Sequence, residues 1–134
     1  MITLGLVVSR FNASVTEEMA ERAHEAAEAG GAEIAETLSV PGAYDTPLAA
    51  DRLARREDVD AVTVIGAIVT GETDHDQVIA RAAATGLTEV SLERDTPVTL
   101  GITGPGMNPD QARARIGNAG TAVESAIDLA ESYQ

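Results

Sequence analysis

Apolar and polar positions along the chain follow two alternating rhythms. Apolar-rich runs at Thr3–Val8, Glu33–Val40, Ala61–Val69 and Pro97–Ile102 have the length of strands. Between them, apolar residues recur every three or four positions, as one buried helix face requires. Ser14 and Glu17 have the spacing of a capping box opening a helix to about Ala29, which Gly30-Gly31 stops. Asp45 as cap and Pro47 in the first turn predict a second helix to about Arg56. Asp74 begins a long helix that continues through Gly86 to about Arg94. Gly104-Pro105-Gly106 reads as a turn, Asn108-Pro109 opens a helix to about Ile116, and a last helix covers about Thr121 to Ser132. Ala61–Val69 is apolar almost throughout, which suits a central strand buried on both faces. The alternation predicts an α/β protein, a three-layer α/β/α sandwich around a four-stranded parallel sheet.

Length sets the organisation: 134 residues suit one domain, 1–134, with a core of its own. Charge changes the picture more. The net charge of −13 is spread over helical faces such as Glu17, Glu18, Glu21, Glu25 and Glu28, which makes nucleic acid and anionic membrane poor partners. All nine basic residues are arginine, and cysteine and tryptophan are absent. This composition resembles that of extreme halophiles, whose dense carboxylates repel one another when dilute buffer leaves them unscreened. Without cysteine there is no disulfide, thiolate nucleophile or cysteine-bound metal. The first apolar run lacks a basic leader and is too short for a signal peptide or spanning helix, so the expected location is the cytoplasm.

In a parallel sheet the loops leaving the carboxyl ends of the strands converge on one rim, the usual ligand position of open α/β folds. Here they read Arg10-Phe11-Asn12, Pro41-Gly42-Ala43-Tyr44-Asp45 and Gly71-Glu72-Thr73-Asp74-His75. Phe11 is either a stacking platform for a planar heterocycle or a hydrophobe that anchors its loop. Tyr44 and Asp45 suit a turn and helix cap, which leaves room for a ligand contact. The glycine-containing turn into the third helix offers unpaired N–H groups to an anion. His75, in that helix's first turn, is a candidate for moving protons, since a neutral imidazole both accepts and returns one. His24 lies on a glutamate-rich face and reads as solvated. A metal site from Glu72, Asp74, His75 and Asp76 is disfavoured because sequence neighbours point in different directions. Arg113 and Arg115, on the helix after the fourth strand, suit phosphate binding or surface ion pairing.

In order, Arg10-Phe11-Asn12, Val40 to Asp45, Gly66 to His75 and Gln111 to Arg115 resemble the corresponding segments of 6,7-dimethyl-8-ribityllumazine synthase. The run Pro97 to Met107 is similar to the archaeal branch of that family. The resemblance implies a flavodoxin-like topology and a transferase of riboflavin biosynthesis. That enzyme condenses 5-amino-6-(D-ribitylamino)uracil with 3,4-dihydroxy-2-butanone 4-phosphate by acid–base catalysis, with loss of phosphate and water. It implies no metal and no organic cofactor. By position, His75 matches the proton-shuttling histidine and Phe11 the ring that stacks on the pyrimidine. Ala43, Tyr44 and Asp45 match the segment holding the ribityl chain, Asp45 standing where many members have glutamate. The backbone at Ile68 and Val69 would meet the heterocycle, and Gly71, Glu72 and Thr73 would bind phosphate with Arg115. Leu100 and Arg115 would come from a neighbouring subunit, so that sites form between subunits of a pentamer, twelve of which close into a shell in some members. The family's usual lysine after the arginine helix is absent; Asn118-Ala119-Gly120-Thr121 stands there.

Three other enzymatic or binding readings compete. An archaeal-type riboflavin synthase would lack the Gly-Glu-Thr-Asp-His arrangement, and a non-catalytic flavin-binding or shell-forming homologue would keep the fold without turnover. A receiver-type domain needs acidic residues after the first strand and an aspartate after the third, where this chain has Ser9-Arg10-Phe11 and Thr70-Gly71.

Overall fold

A computed structural model describes residues 1–71 and 73–133. The elements run β1 (Thr3–Ser9), α1 (Ala13–Ala29), β2 (Glu33–Val40), α2 (Thr46–Ala54), β3 (Ala61–Val69), α3 (His75–Arg94), β4 (Val98–Met107), α4 (Pro109–Ala114) and α5 (Asn118–Ser132). A single 3-10 turn, Ala43–Asp45, precedes α2. The four strands form one all-parallel sheet in the order β2-β1-β3-β4. This is the flavodoxin-type order with its last strand omitted.

The period-2 alternation of side chains divides the core between the sheet's faces. Leu4, Leu6 and Val8 of β1 and Ala61, Ile65 and Ala67 of β3 pack with α1, α4 and α5. Val7, Val62 and Val64 pack with α2 and α3 on the other side. In β2 the register shifts between the pairs Leu4↔Ile34 and Gly5↔Glu36. That extra residue sends Ile34 to the first core and Leu38 and Val40 to the second, although all three have even numbers. Toward α5 the sheet buries threonines of β3 and β4: Thr63 and Thr99 are hydrogen-bonded, whereas the Thr103 hydroxyl has no partner among the described residues. Thr63 and Thr99 hydroxyls lie 2.9 Å apart, and Thr99 Oγ1 donates to the Ala122 carbonyl at 2.9 Å.

Four local expectations are corrected. Ser14 does not cap α1; Asn12 occupies the N-cap in the left-handed region, with φ 65°, and no side chain caps the helix. Asp45 stands at the N-cap of α2, but its carboxylate turns back to accept from the Gly42 N–H at 3.0 Å. Gly104-Pro105-Gly106 is not a turn, because β4 runs on to Met107 and pairs with Val69 beyond a register shift. Gly104 and Gly106 supply the positive φ angles of that irregular stretch. Finally, α4 ends at Ala114 and α5 begins at Asn118, earlier than its apolar spacing suggested. The expected Asn108 cap is present as a reciprocal box, in which the Asn108 Oδ1 accepts from Gln111 N and Gln111 Oε1 accepts from Asn108 N.

Candidate active site

The carboxyl ends of β1, β2 and β3 open onto a cavity of about 560 Å³, within the range of small-molecule sites. Its walls include Phe11, Ala43, Tyr44, Asp45, Ile68, Val69, Gly71, Thr73 and His75. Nine of the positions singled out in the sequence therefore share one space. Glu72 lies outside the described residues. Leu100 and Arg115 are not brought there: Leu100 stands half-exposed on the face of β4 toward α3, and Arg115 follows α4.

Backbone hydrogen bonds hold the rim in shape. Where β1 ends, Arg10 N and Phe11 N donate to the carbonyls of Val40 and Pro41, at 2.8 and 3.0 Å, so the first loop follows β2. The Arg10 guanidinium extends that link to the Ser39 hydroxyl at 3.2 Å. The first loop is also tied to β3: Asn12 Nδ2 donates to the Ala67 carbonyl at 2.8 Å. Phe11 and Tyr44, two of the three aromatic residues in the chain, are left 67 % and 65 % exposed. A core-forming role would have buried them. Their exposure favours a ligand platform over the loop-anchor alternative for Phe11.

The floor is backbone and apolar side chain. β1 pairs with β3 only as far as Val8↔Ile65, so the last residues of β3 project past their neighbour on that side. Successive peptide groups of a strand face opposite sides. Ala67 points its carbonyl toward the β1 side, whereas Ile68 turns its carbonyl to Gly104, where a Cβ would collide with it. Thr70 N donates to the Met107 carbonyl at 2.8 Å, placing residue 70 on the β4 side as well. Val69 therefore faces the cavity with its peptide groups, and Ile68 contributes its side chain.

At the third wall, α3 begins at His75, an exposed residue whose backbone N–H is 3.3 Å from Thr73 Oγ1. Gln77 N and Val78 N donate to the Asp74 carbonyl, which starts the helix without a side-chain cap. Asp76, a buried carboxylate, and Ile79, one turn beyond His75, complete that wall. Sequence reasoning missed Ile79 and the tie through Asn12. Ile79 is legible as the residue four positions after His75 on one helix face. Asn12 is legible only as an asparagine following a strand, a type that enters the left-handed region readily.

The perturbed ionisable groups lie elsewhere. A hydrogen bond from Arg94 holds the Asp51 carboxyl below its ordinary value, and one from Arg56 does the same for Asp58. Arg56 also pairs with Glu36. The cavity thus joins an aromatic platform, a free strand edge, two carboxylates and an imidazole, which suits a planar, hydrogen-bonding ligand and proton transfer.

Comparisons with known proteins agree with that chemistry. The family described as 6,7-dimethyl-8-ribityllumazine synthase matches residues 1–134. A protein of that name from Halorubrum lacusprofundi is 66 % identical over 98 % of each chain. Another from Halobacterium salinarum is 63 % identical over 98 % of each chain, and one from Methanosarcina mazei is 49 % identical over 96 % of each.

Proposed function

Since the chain belongs to the 6,7-dimethyl-8-ribityllumazine synthase family, we propose that its rim cavity condenses 5-amino-6-(D-ribitylamino)uracil with 3,4-dihydroxy-2-butanone 4-phosphate to the lumazine of riboflavin biosynthesis. The observation that carries this reading is the convergence of Phe11, Tyr44 and His75 on one cavity.

The reaction is a series of proton transfers around one carbon skeleton. The 5-amino group adds to the ketone and water leaves, giving an imine. Loss of the proton on the neighbouring hydroxyl-bearing carbon expels phosphate and leaves an enol, which takes up a proton on its terminal carbon to become the second carbonyl. The ribityl-bearing nitrogen then closes on that carbonyl with loss of another water. His75 relays these protons, because its imidazole stands at the open mouth of the cavity. Phe11 stacks on the pyrimidine. The Val69 peptide groups hydrogen-bond its edge, while the Ile68 side chain forms the apolar floor. Ala43, Tyr44 and Asp45 line the path of the ribityl chain, the last with its carboxylate already braced by Gly42 N. Gly71, Glu72 and Thr73 receive the phosphate at the amino end of α3.

Leu100 and Arg115 complete the site from a neighbouring copy in a ring of five. Leu100 is apolar and half-exposed on an uncovered edge strand, a surface that a partner would bury. The whole of 1–134 acts as one domain, working in the cytoplasm in concentrated salt. Among the described residues no helix is long and apolar enough to cross a membrane.

Turnover of the two substrates in molar salt, followed by appearance of the lumazine chromophore, tests the reading. Incubation with lumazine alone is the second arm. Riboflavin formed from lumazine alone, or no product from the pair, would overturn it.

A further inference from the structure

We propose that Asn12 is a positioning residue that sets the width of the slot between the Phe11 ring and the edge of β3, and so governs binding of the planar substrate. The inference rests on the functional reading above, and three observations carry it.

The first is where the strand ladder stops. β1 pairs with β3 through Val8↔Ile65, after which the β1 backbone leaves for β2. The Ala67 carbonyl would have no strand partner on that side; the Asn12 amide takes it at 2.8 Å. The next outward-facing residue of β3 is Val69, in the cavity wall. Asn12 thus closes the ladder one rung short and leaves the following rung to a ligand.

The second is the backbone of Asn12. With φ 65° and ψ 47° it reverses the chain between β1 and α1, so that Phe11 projects over the cavity while the Asn12 side chain turns inward to β3. Asparagine tolerates this conformation better than most residues. The third is what the side chain does not do. It makes no capping hydrogen bond to α1, where Val15 N and Thr16 N are satisfied by the Asn12 backbone carbonyl. Its amide therefore serves a contact 55 residues away and not the helix that follows.

Asn12→Gly separates these roles, since glycine keeps the positive φ and removes only the amide. Asn12→Asp keeps the shape but turns a carboxylate toward the Ala67 carbonyl. In molar salt, Asn12→Gly is expected to raise KM for the pyrimidine substrate about tenfold, the upper range for one hydrogen bond, with a larger rise for Asn12→Asp. KM for the phosphorylated substrate stays within about twofold and the melting temperature within about 2 °C, because a glycine N-cap costs little. Fluorescence titration with the lumazine product should show the same weakening. Parent-like pyrimidine KM and product affinity in Asn12→Gly would overturn the inference alone. So would a rise in both KM values in step with a lower melting temperature, the pattern of a purely structural tie. A parent chain that neither turns over nor binds the product would overturn the functional reading and this inference with it.

Discussion

Arg115 lays its guanidinium against the thioether of Met107, Nη1 3.8 Å from Sδ, and makes no ion pair among the described residues. Four of the nine arginines, Arg55, Arg56, Arg94 and Arg113, make ion pairs among the described residues, and Arg115 is one of the five that do not. Arg113, two positions earlier, pairs with Asp110 at 2.6 Å. Arg115 has donors left over beyond the Met107 contact, which is what the phosphate-binding role proposed for it requires.

Removing that guanidinium should therefore cost phosphate recognition and little else. Arg115→Ala is expected to raise KM for the phosphorylated substrate by about ten- to a hundredfold, matching a lost charge-assisted contact, with a smaller change for the pyrimidine. Stability should move by no more than about 0.5 kcal/mol, as for other exposed positions. Steady-state kinetics with each substrate varied in turn checks this, and equal loss for both substrates would contradict it.

His75 is exposed, and the side-chain contact near it runs from its own backbone N–H to Thr73 Oγ1. His75→Ala should leave the fold intact and lower kcat by about a hundredfold, the lower range for a general acid–base group. Water can substitute in part at an open cavity. An unchanged kcat would remove the imidazole from the mechanism.

The net charge of −13 predicts a salt requirement. The self-repulsion is long-ranged in dilute buffer, where the Debye length is about 30 Å at 0.01 M, and short-ranged at 1 M, where it is about 3 Å. The melting temperature should rise by several degrees or more between these conditions. A flat melting temperature would show that the carboxylates are too far apart to matter.

Asp51 gives a pH dependence whose sign is fixed. Arg94 donates to its two carboxylate oxygens at 2.7 and 3.3 Å and holds the carboxyl below its ordinary 3.8. A carboxyl lowered in the folded state stabilises the protein above the unfolded value. That contribution is lost as pH falls through the folded value. Asp51→Asn should thus be less stable than the parent by no more than about 1 kcal/mol at neutral pH, both partners being partly exposed. The gap should hold down to about pH 4 and close below it. Chemical denaturation of both proteins across that range in fixed salt measures the gap, which separates this pair from the general relief of repulsion on acidification. A gap that widens in acid would refute the assignment.

Period and turn chemistry along the chain determined most of the architecture, since strand and helix faces must repeat every 2 and 3.6 residues to bury one side. The spans of β2 and β3, the long α3 through Gly86 and the convergence of three loops on one rim are all legible there. Tertiary contacts decided what local pattern cannot carry. β4 continues through Gly104-Pro105-Gly106, a triplet with turn composition, because Met107 finds its pairing partner in Val69, far away in sequence. Asn12 displaces Ser14 as the residue that opens α1 because the backbone reverses there in the left-handed region while the Asn12 side chain reaches the Ala67 carbonyl of β3. Both outcomes turn on backbone groups that have to be satisfied by residues 38 or more positions away, and no window of sequence around either site contains its partner.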